Sequence, residues 1–404
     1  MRSKKLKILM LANKMPYPPR DGGAIATLSI ATNLADLSHT VTMLVMNTSK
    51  HHYDLQQIPD ALKNSVEFIS VDVNTDISVR KALRNYFVSS LPYNAERFIS
   101  ADYDRALGQL LASRSFDVIH LEGPYLGPYI RTIRKHTMAL VSMRPQNIEH
   151  EIWQRIAVLT SGLKKPYIKN LAKRIRRFET SMINNYDVLV PITHRDADIY
   201  RHLGCRIPIF VASTGIDANR FIPDFDVMEY PSLFHLGALD WAPNQEGLKW
   251  FFSRVWPRIH KEFPSLKFYL AGRNAPPYFR KLSEPNVEFL GEVESAHDFI
   301  RSKAIMVVPL FSGSGLRIKI IEGMALGKAI ITTNIGKEGI ECSHMRHMMI
   351  ADRPDEFLEA VRHLVTDRNR VVAIGQEAAV FVNTNYNNTK IINSLAEFYI
   401  KHLP

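Results

Sequence analysis

Cysteine is scarce: 404 residues contain only Cys205 and Cys342, far apart and outside any CxxC pattern. That excludes a disulfide framework and a thiolate zinc site, and it fits reduced thiols in the cytoplasm. No apolar run approaches the roughly 18 to 20 residues of a membrane span. Basic residues precede Ile8-Leu9-Met10-Leu11-Ala12, as in a signal peptide, but the run is short and Asn13-Lys14 break it, so it reads as a first β-strand. No GxGxxG follows that strand, which counts against a dehydrogenase. RNP-like aromatics, zinc-finger spacing and a helix-turn-helix signal are also missing. The net charge of +11 is therefore not read as nucleic-acid binding.

Acidic residues are absent from Gly162 to Phe178, where seven cations stand (Lys164, Lys165, Lys169, Lys173, Arg174, Arg176, Arg177). The charge excess is local. After Pro166, a good first helical residue, Ile168, Leu171, Ile175 and Phe178 fall on one helical face with the cations on the others. Residues 162–178 are either a solvated basic face or a peripheral contact with an anionic membrane. The location expected is cytoplasmic, free or at the inner face of the cell membrane.

What is present is an alternation of strands and helices, run through twice. Strand-like runs at Lys7–Ala12, Thr40–Met46, Val66–Val71, Val118–Leu121, Ala139–Met143 and Val188–Val190 alternate with helical stretches such as Ala24–Leu37 and Asp102–Ala112. The pattern restarts with strands at Leu233–Leu236, Leu266–Ala271, Val287–Leu290, Ile305–Val308 and Ala329–Thr332, and helices at Glu246–Glu262, Leu316–Leu326 and Asp355–Val365. Each half reads as an α/β domain with a parallel sheet covered on both faces. The divisions expected are a Rossmann-like domain at 1–205, a linker at 206–231, a second Rossmann-like domain at 232–385, and a last helix at 386–404 that packs back on the first domain. Ligands of such sheets sit beyond the carboxyl ends of the strands.

The strongest local constellation is Val307 to Ala325, VVPLFSGSGLRIKIIEGMA. A strand enters a small-residue loop (Gly313, Ser314, Gly315) and a helix begins near Leu316, so free N–H groups and the helix dipole make an anion site; the alternative is an ordinary glycine loop with a surface ion pair. Arg317 adds a guanidinium, and Lys319 and Glu322, three apart, share a helix face. A cation beside a carboxylate suits a ligand with phosphates at one end and hydroxyls at the other. Arg273, after another strand, is a further cation at these strand ends. In the first half, Gly22-Gly23 open a helix after the first strand, either approaching a phosphate or merely starting the helix.

These motifs resemble the retaining GT-B glycosyltransferases of the "group 1" class, family 4. The resemblance rests on Thr214-Gly215-Ile216-Asp217 with Phe221, Gly237 to Trp241 with Pro243-Asn244, Ala271-Gly272-Arg273, Phe289 to Val293, the GSGLRIKIIEGMA run and Thr332 to Gly339; Gly22-Gly23 and Asp117 to His120 also fit. It implies two Rossmann-like domains facing a central cleft, with the second holding a nucleotide-sugar donor, a UDP- or GDP-sugar, as co-substrate. It further implies that Glu322 binds the ribose, that the loop at Gly291 and Val293 holds the base, and that Gly22-Gly23 approach the phosphates or sugar.

Three positions depart from the family. The Glu that often stands eight residues before the ribose Glu is Ser314 here. The family's Arg and Lys after the second domain's first strand are missing, the latter position falling near Asn244-Gln245, so phosphate charge must come from elsewhere. The usual His-x-His reads His120-Leu121-Glu122, and Glu122 next to His120 either orients a reacting hydroxyl or pairs with a nearby cation. Arg144-Pro145-Gln146-Asn147-Ile148-Glu149-His150 follows a strand; Arg144, Glu149 and His150 either contact an acceptor or cap the next helix. Three Asp-x-Asp triplets, at Asp102, Asp196 and Asp224, are not read as metal sites, Thr193 with Asp196 being a helix cap.

The expected activity is transfer of a sugar from a nucleotide diphosphate to a hydroxyl acceptor, a glycan or lipid-linked glycan, with retention and without a metal. The alternatives are a GT-B epimerase or hydrolase and a degenerate nucleotide-sugar binder without turnover.

Overall fold

The computed structural model describes residues 4–162, 164–313 and 315–404. They divide into two compact units, 4–214 with 389–404, and 215–388.

Unit 1 runs β1 (Lys7–Ala12), α1 (Gly22–Asp36), β2 (Thr40–Thr48), α2 (Asp60–Ser65), β3 (Val66–Val73), α3 (Val79–Val88), α4 (Tyr93–Glu96), α5 (Ala101–Ser113), β4 (Val118–Glu122), α6 (Ile130–His136), β5 (Leu140–Arg144), α7 (Glu149–Leu159), α8 (Lys164–Met182), β6 (Val188–Leu189) and α9 (His194–His202). Unit 2 runs β7 (Glu229–Leu236), α10 (Ala242–Trp250), α11 (Trp256–Glu262), β8 (Lys267–Ala271), α12 (Pro277–Arg280), β9 (Val287–Gly291), α13 (Ala296–Ser302), β10 (Lys303–Val308), α14 (Ile318–Ala325), β11 (Ala329–Thr332), β12 (Met349–Ile350), α15 (Pro354–Val365) and α16 (Arg368–Asn385), and α17 (Asn388–His402) then carries the chain into unit 1.

The described strands form two six-stranded sheets, ordered β3-β2-β1-β4-β5-β6 and β9-β8-β7-β10-β11-β12, with parallel neighbours. Both are the doubly wound order, which reverses direction between β1 and β4 in one sheet and between β7 and β10 in the other. The central strands are apolar on both faces, as burial under two helical layers requires: Ile8 to Leu11 and Ile305 to Val308 have no exposed surface. The last helix is part of the unit 1 core, with Ile392, Leu395, Ala396 and Tyr399 packed in the cluster that holds Ile8, Met10 and Val118.

Several local expectations shift for identifiable reasons. Residues 206–214 run alongside β6, through Leu189 N to Pro208 O at 2.9 Å and Phe210 N to Leu189 O at 3.0 Å, and so lie within unit 1. The stretch 246–262 is not one helix, because Phe251–Val255 is a π-helical turn between α10 and α11. Pro257, which cannot donate to the carbonyl one turn back, accounts for the widened register. Helix α8 starts at Lys164 rather than after Pro166; Pro166 sits in the first turn, where its missing N–H costs nothing. Leu171, Ile175 and Phe178 are buried as the pattern requires. Thr193 caps α9, accepting from Asp196 N at 3.0 Å.

Candidate functional site

In unit 2 the strand order reverses between β7 and β10, and the segments leaving those two strands meet around one ammonium group. His235, on β7 and fully buried, has Nδ1 2.8 Å from Val307 O. A carbonyl can only accept, so Nδ1 carries the proton and Nε2 is left as an acceptor. That Nε2 lies 3.3 Å from Lys319 Nζ. Asn244, in the first turn of α10, donates Nδ2 to Ala238 O at 2.8 Å, which turns its Oδ1 toward Lys319 Nζ at 2.9 Å.

The ammonium is thus held by two neutral acceptors, and no carboxylate among the described residues lies within ion-pair distance of it. Loss of water and the nearby Arg317 bring its pKa down to about 7. Burial, reinforced by Lys319, holds His235 well below the usual imidazole range, so it stays neutral. Gly237 leaves room for this arrangement: a Cβ there would stand 2.9 Å from Asn244 Nδ2 and 3.0 Å from Lys319 Nζ. The family's lysine is missing near Asn244, yet an ammonium reaches that same residue from α14.

The loop from β10 to α14 is folded onto itself. Helix α14 begins at Ile318, two residues later than the small-residue pattern suggests, and Arg317 is its N-cap residue. Arg317 is 5% exposed; it donates Nη1 to Gly315 O at 2.6 Å and lies 5.6 Å from the Trp241 ring centroid. Gly313, at φ +98°, passes close beneath: a Cβ there would meet the Trp241 ring at 3.1 Å. Ser314 lies outside the described residues. Glu322 does not pair with Lys319 despite their shared face. Among the described residues nothing donates a hydrogen bond to it, and burial pushes its pKa up to about 7, with His297 pulling the other way.

The other donor-side candidates surround this point. Leu316 and Val293 pack on the cluster of Phe234, Ile320 and Met324. The exits of β7, β8 and β9 are tied backbone to backbone, through Gly237 N to Ala271 O at 3.2 Å, Leu239 N to Arg273 O at 2.9 Å and Gly272 N to Gly291 O at 2.7 Å. Gly291 has φ +69°, which suits glycine at the end of β9.

In unit 1 the corresponding reversal lies at the end of β4. Glu122, 3% exposed, accepts from His120 Nε2 at 3.0 Å, Thr27 Oγ1 at 3.1 Å, Arg144 Nη1 at 3.2 Å and Gln146 Nε2 at 2.9 Å. Four donors occupy its two oxygens. Burial would raise its pKa, but the Arg144 guanidinium and the His120 bond more than offset that and hold it at about 2. Gly22-Gly23 start α1, capped by Asp21, which accepts from Ala24 N at 2.8 Å. A Cβ on Gly23 would lie 2.4 Å from Gln146 Oε1.

The segment after β5 splits its work. Glu179 caps α7 from α8, accepting from Glu149 N at 3.0 Å, His150 N at 2.9 Å and His150 Nδ1 at 2.7 Å. Glu149 accepts from Tyr125 OH at 2.8 Å, and burial, with Glu179 adding to it, raises its pKa to about 7. His235 and the orienting role of Asn244 have no signature in the sequence. A lone histidine on an apolar strand carries no signal that a lysine 84 residues later will reach it.

Two family models match this chain in tandem: "Glycosyl transferase 4-like domain" over residues 21–214 and "Glycosyl transferases group 1" over residues 230–367. An uncharacterized 44.6 kDa protein in the cps region of Klebsiella pneumoniae is 21% identical, over 96% of this chain and 98% of its own length. Among solved structures, sucrose-phosphate synthase of Thermosynechococcus elongatus matches with a TM-score of 0.72 at 15% identity, over 98% of both chains. HepE of Anabaena in complex with UDP matches with a TM-score of 0.69 at 13% identity, over 98% of this chain and 100% of that one. Two doubly wound units, each a six-stranded parallel sheet with helices, define the GT-B architecture. The chain belongs to the group 1 glycosyltransferases of that fold.

Proposed function

We propose that the protein transfers a sugar from a nucleoside-diphosphate sugar to a hydroxyl of a glycan or lipid-linked glycan, with retention of anomeric configuration. One observation carries the donor side: a half-buried ammonium with neutral partners, beside a helix start at a sheet's switch point, has no counter-anion among the described residues, and a diphosphate would supply one. Lys319, Arg317 and the N–H groups of the loop would take up charge as the diphosphate departs, the largest electrostatic demand of such a reaction. Glu322, one turn further along α14, would accept from ribose hydroxyls. Arg273 and the loop at Gly291 and Val293 border the same strand ends, and the UDP bound to HepE supports a uridine donor.

In unit 1, Arg144, Glu149 and His150 are the acceptor-side candidates, with Gly22-Gly23 toward the donor. His120 and Glu122 would act on the reaction indirectly, through the side chains they hold, since both oxygens of Glu122 are engaged. The basic residues 162–178 would bring the enzyme to an anionic membrane, where a lipid-linked acceptor resides; Leu163 within that stretch lies outside the described residues. Among the described residues no helix is long and apolar enough to cross a membrane.

The test is release of UDP or GDP from a panel of nucleotide sugars, with and without lipid-linked and glycan acceptors, in buffer containing EDTA. Acceptor-dependent release that persists in EDTA is the expected result. Acceptor-independent release would make the protein an epimerase or hydrolase. Nucleotide binding without release would make it a binder, and manganese-restored activity would refute the role given to the cations.

A further inference from the structure

Helix α3 is built inside out for a helix in water. Its inward residue is the polar Asn85, 2% exposed, which donates to Leu91 O at 3.0 Å and Glu96 Oε2 at 2.6 Å. Its outward stripe at i, i+4 and i+8 is Val79, Leu83 and Phe87, exposed by 73%, 51% and 79%, with Ile77 and Val88 exposed beside it. A helix on an aqueous surface carries the opposite pattern. The helix is nonetheless firmly held: Tyr93 OH accepts from Ser78 N at 3.0 Å, and the Arg174 guanidinium donates to the carbonyls of Asn85, Ser89 and Leu91 at its C-terminal end.

The charge around the stripe has one sign. Arg80, Lys81 and Arg84 flank it on α3, and no acid occurs from Ile77 to Leu91. Helix α8 lies alongside, with Tyr167 in contact with Tyr86 at 5.8 Å between ring centroids. It presents Lys164, Lys165, Lys169, Lys173, Arg176 and Arg177 to solvent. Just before α8, the end of α7 exposes Val158 and Leu159 by 76% and 71%.

We infer that α3 is a membrane-insertion helix, which sets Val79, Leu83 and Phe87 into the acyl boundary of an anionic lipid surface while the cations of α3 and α8 meet the headgroups. The inference rests on the lipid-surface reading of residues 162–178 and adds the apolar element that a charged face alone lacks. Interfacial helices combine these two features, an apolar face for burial and flanking Lys/Arg for anionic headgroups. A second copy of this chain does not fit the same face, because pairing would bring two sets of nine exposed cations together.

Sedimentation of the whole protein with phosphatidylcholine vesicles, with and without phosphatidylglycerol, tests this. The wild type is expected to bind the phosphatidylglycerol vesicles and to be released by salt. Val79→Ser/Leu83→Ser/Phe87→Ser, which alters exposed groups and should melt like wild type, is expected to bind at least about tenfold more weakly, from the apolar area withdrawn. In Phe87→Trp, indole fluorescence is expected to shift to the blue with those vesicles and to be quenched by brominated lipid. A wild type that binds neither vesicle overturns this inference together with the reading of residues 162–178. If Lys164→Gln/Lys165→Gln/Lys169→Gln weakens binding but the triple serine variant does not, α3 is overturned and the basic face stands. A wild-type dimer that the serine variant converts to monomer would assign the stripe to a protein interface instead.

Discussion

Tyr399 and His120, 279 residues apart in sequence, share a hydrogen bond of 2.7 Å between the phenol oxygen and Nδ1. The other ring nitrogen of His120 donates to Glu122, so Tyr399 is the donor to Nδ1, and Ser142 Oγ lies 3.0 Å from the same phenol. The last helix thereby ends a buried chain of polar groups that begins at the candidate site of unit 1. Tyr399→Phe leaves His120 Nδ1 buried without a donor and is expected to cost about 1 to 3 kcal/mol in urea unfolding. A midpoint indistinguishable from wild type would mean the chain is not coupled to folding.

Glu122→Gln removes the carboxylate from a buried Arg144 and is expected to destabilise by about 3 to 5 kcal/mol. Turnover should fall more than UDP affinity, since the cationic diphosphate candidates, Arg317, Lys319 and Arg273, all lie in unit 2. The pH dependence has a definite sign. The folded pKa of about 2 is below the ordinary 4.5, so the ion pair's contribution is present above 4.5 and is lost as pH falls toward 2. Acid unfolding curves of wild type should therefore fall more steeply over that window than those of Glu122→Gln.

Lys319 should make nucleotide binding proton-linked. Its pKa near 7 means that binding a diphosphate above pH 7 must first protonate the amine. UDP affinity is expected to fall by up to about tenfold per pH unit above 7, with proton uptake measurable by calorimetry in buffers of different ionisation enthalpy. Lys319→Met should bind weakly and without that slope. Glu322 titrates in the same range, so Glu322→Gln is the control that must keep the slope. A flat wild-type profile would refute the linkage.

Arg317→Ala is expected to weaken UDP binding by about 10- to 150-fold, from roughly 1.5 to 3 kcal/mol for a charge-assisted hydrogen bond. Because the guanidinium also holds Gly315 O and lies over Trp241, the loop should become more protease-sensitive. Arg317→Lys should rescue neither fully, lacking the planar fork. Affinity within twofold of wild type would move the phosphate contacts elsewhere.

Strand placement is legible in the sequence because apolar runs such as Ile8–Leu11 and Ile305–Val308 have one physical cause, burial on both faces; the order of the strands is not, since it depends on pairing between distant runs. The loop ahead of α14 is legible because its small residues mark the turn from strand to helix. His235 and the inner face of α3 are not, because each depends on contacts between distant segments. Nothing local tells that Asn85 would turn inward to Leu91 O and Glu96, leaving Phe87 outside. Helix α14 starts two residues later than the small-residue pattern suggests because Arg317 spends its side chain on Gly315 O rather than joining the helix.

Gly247, in α10, has no space for a side chain, as a Cβ there would stand 1.6 Å from Pro309 O. The helix that aims Asn244 at the ammonium therefore rests bare backbone against the exit of β10, from which the loop to Arg317 departs. Efforts to re-engineer donor choice by shuffling that loop among relatives would carry half of a fitted pair. Segments 237–247 and 309–322 are better exchanged as a single cassette.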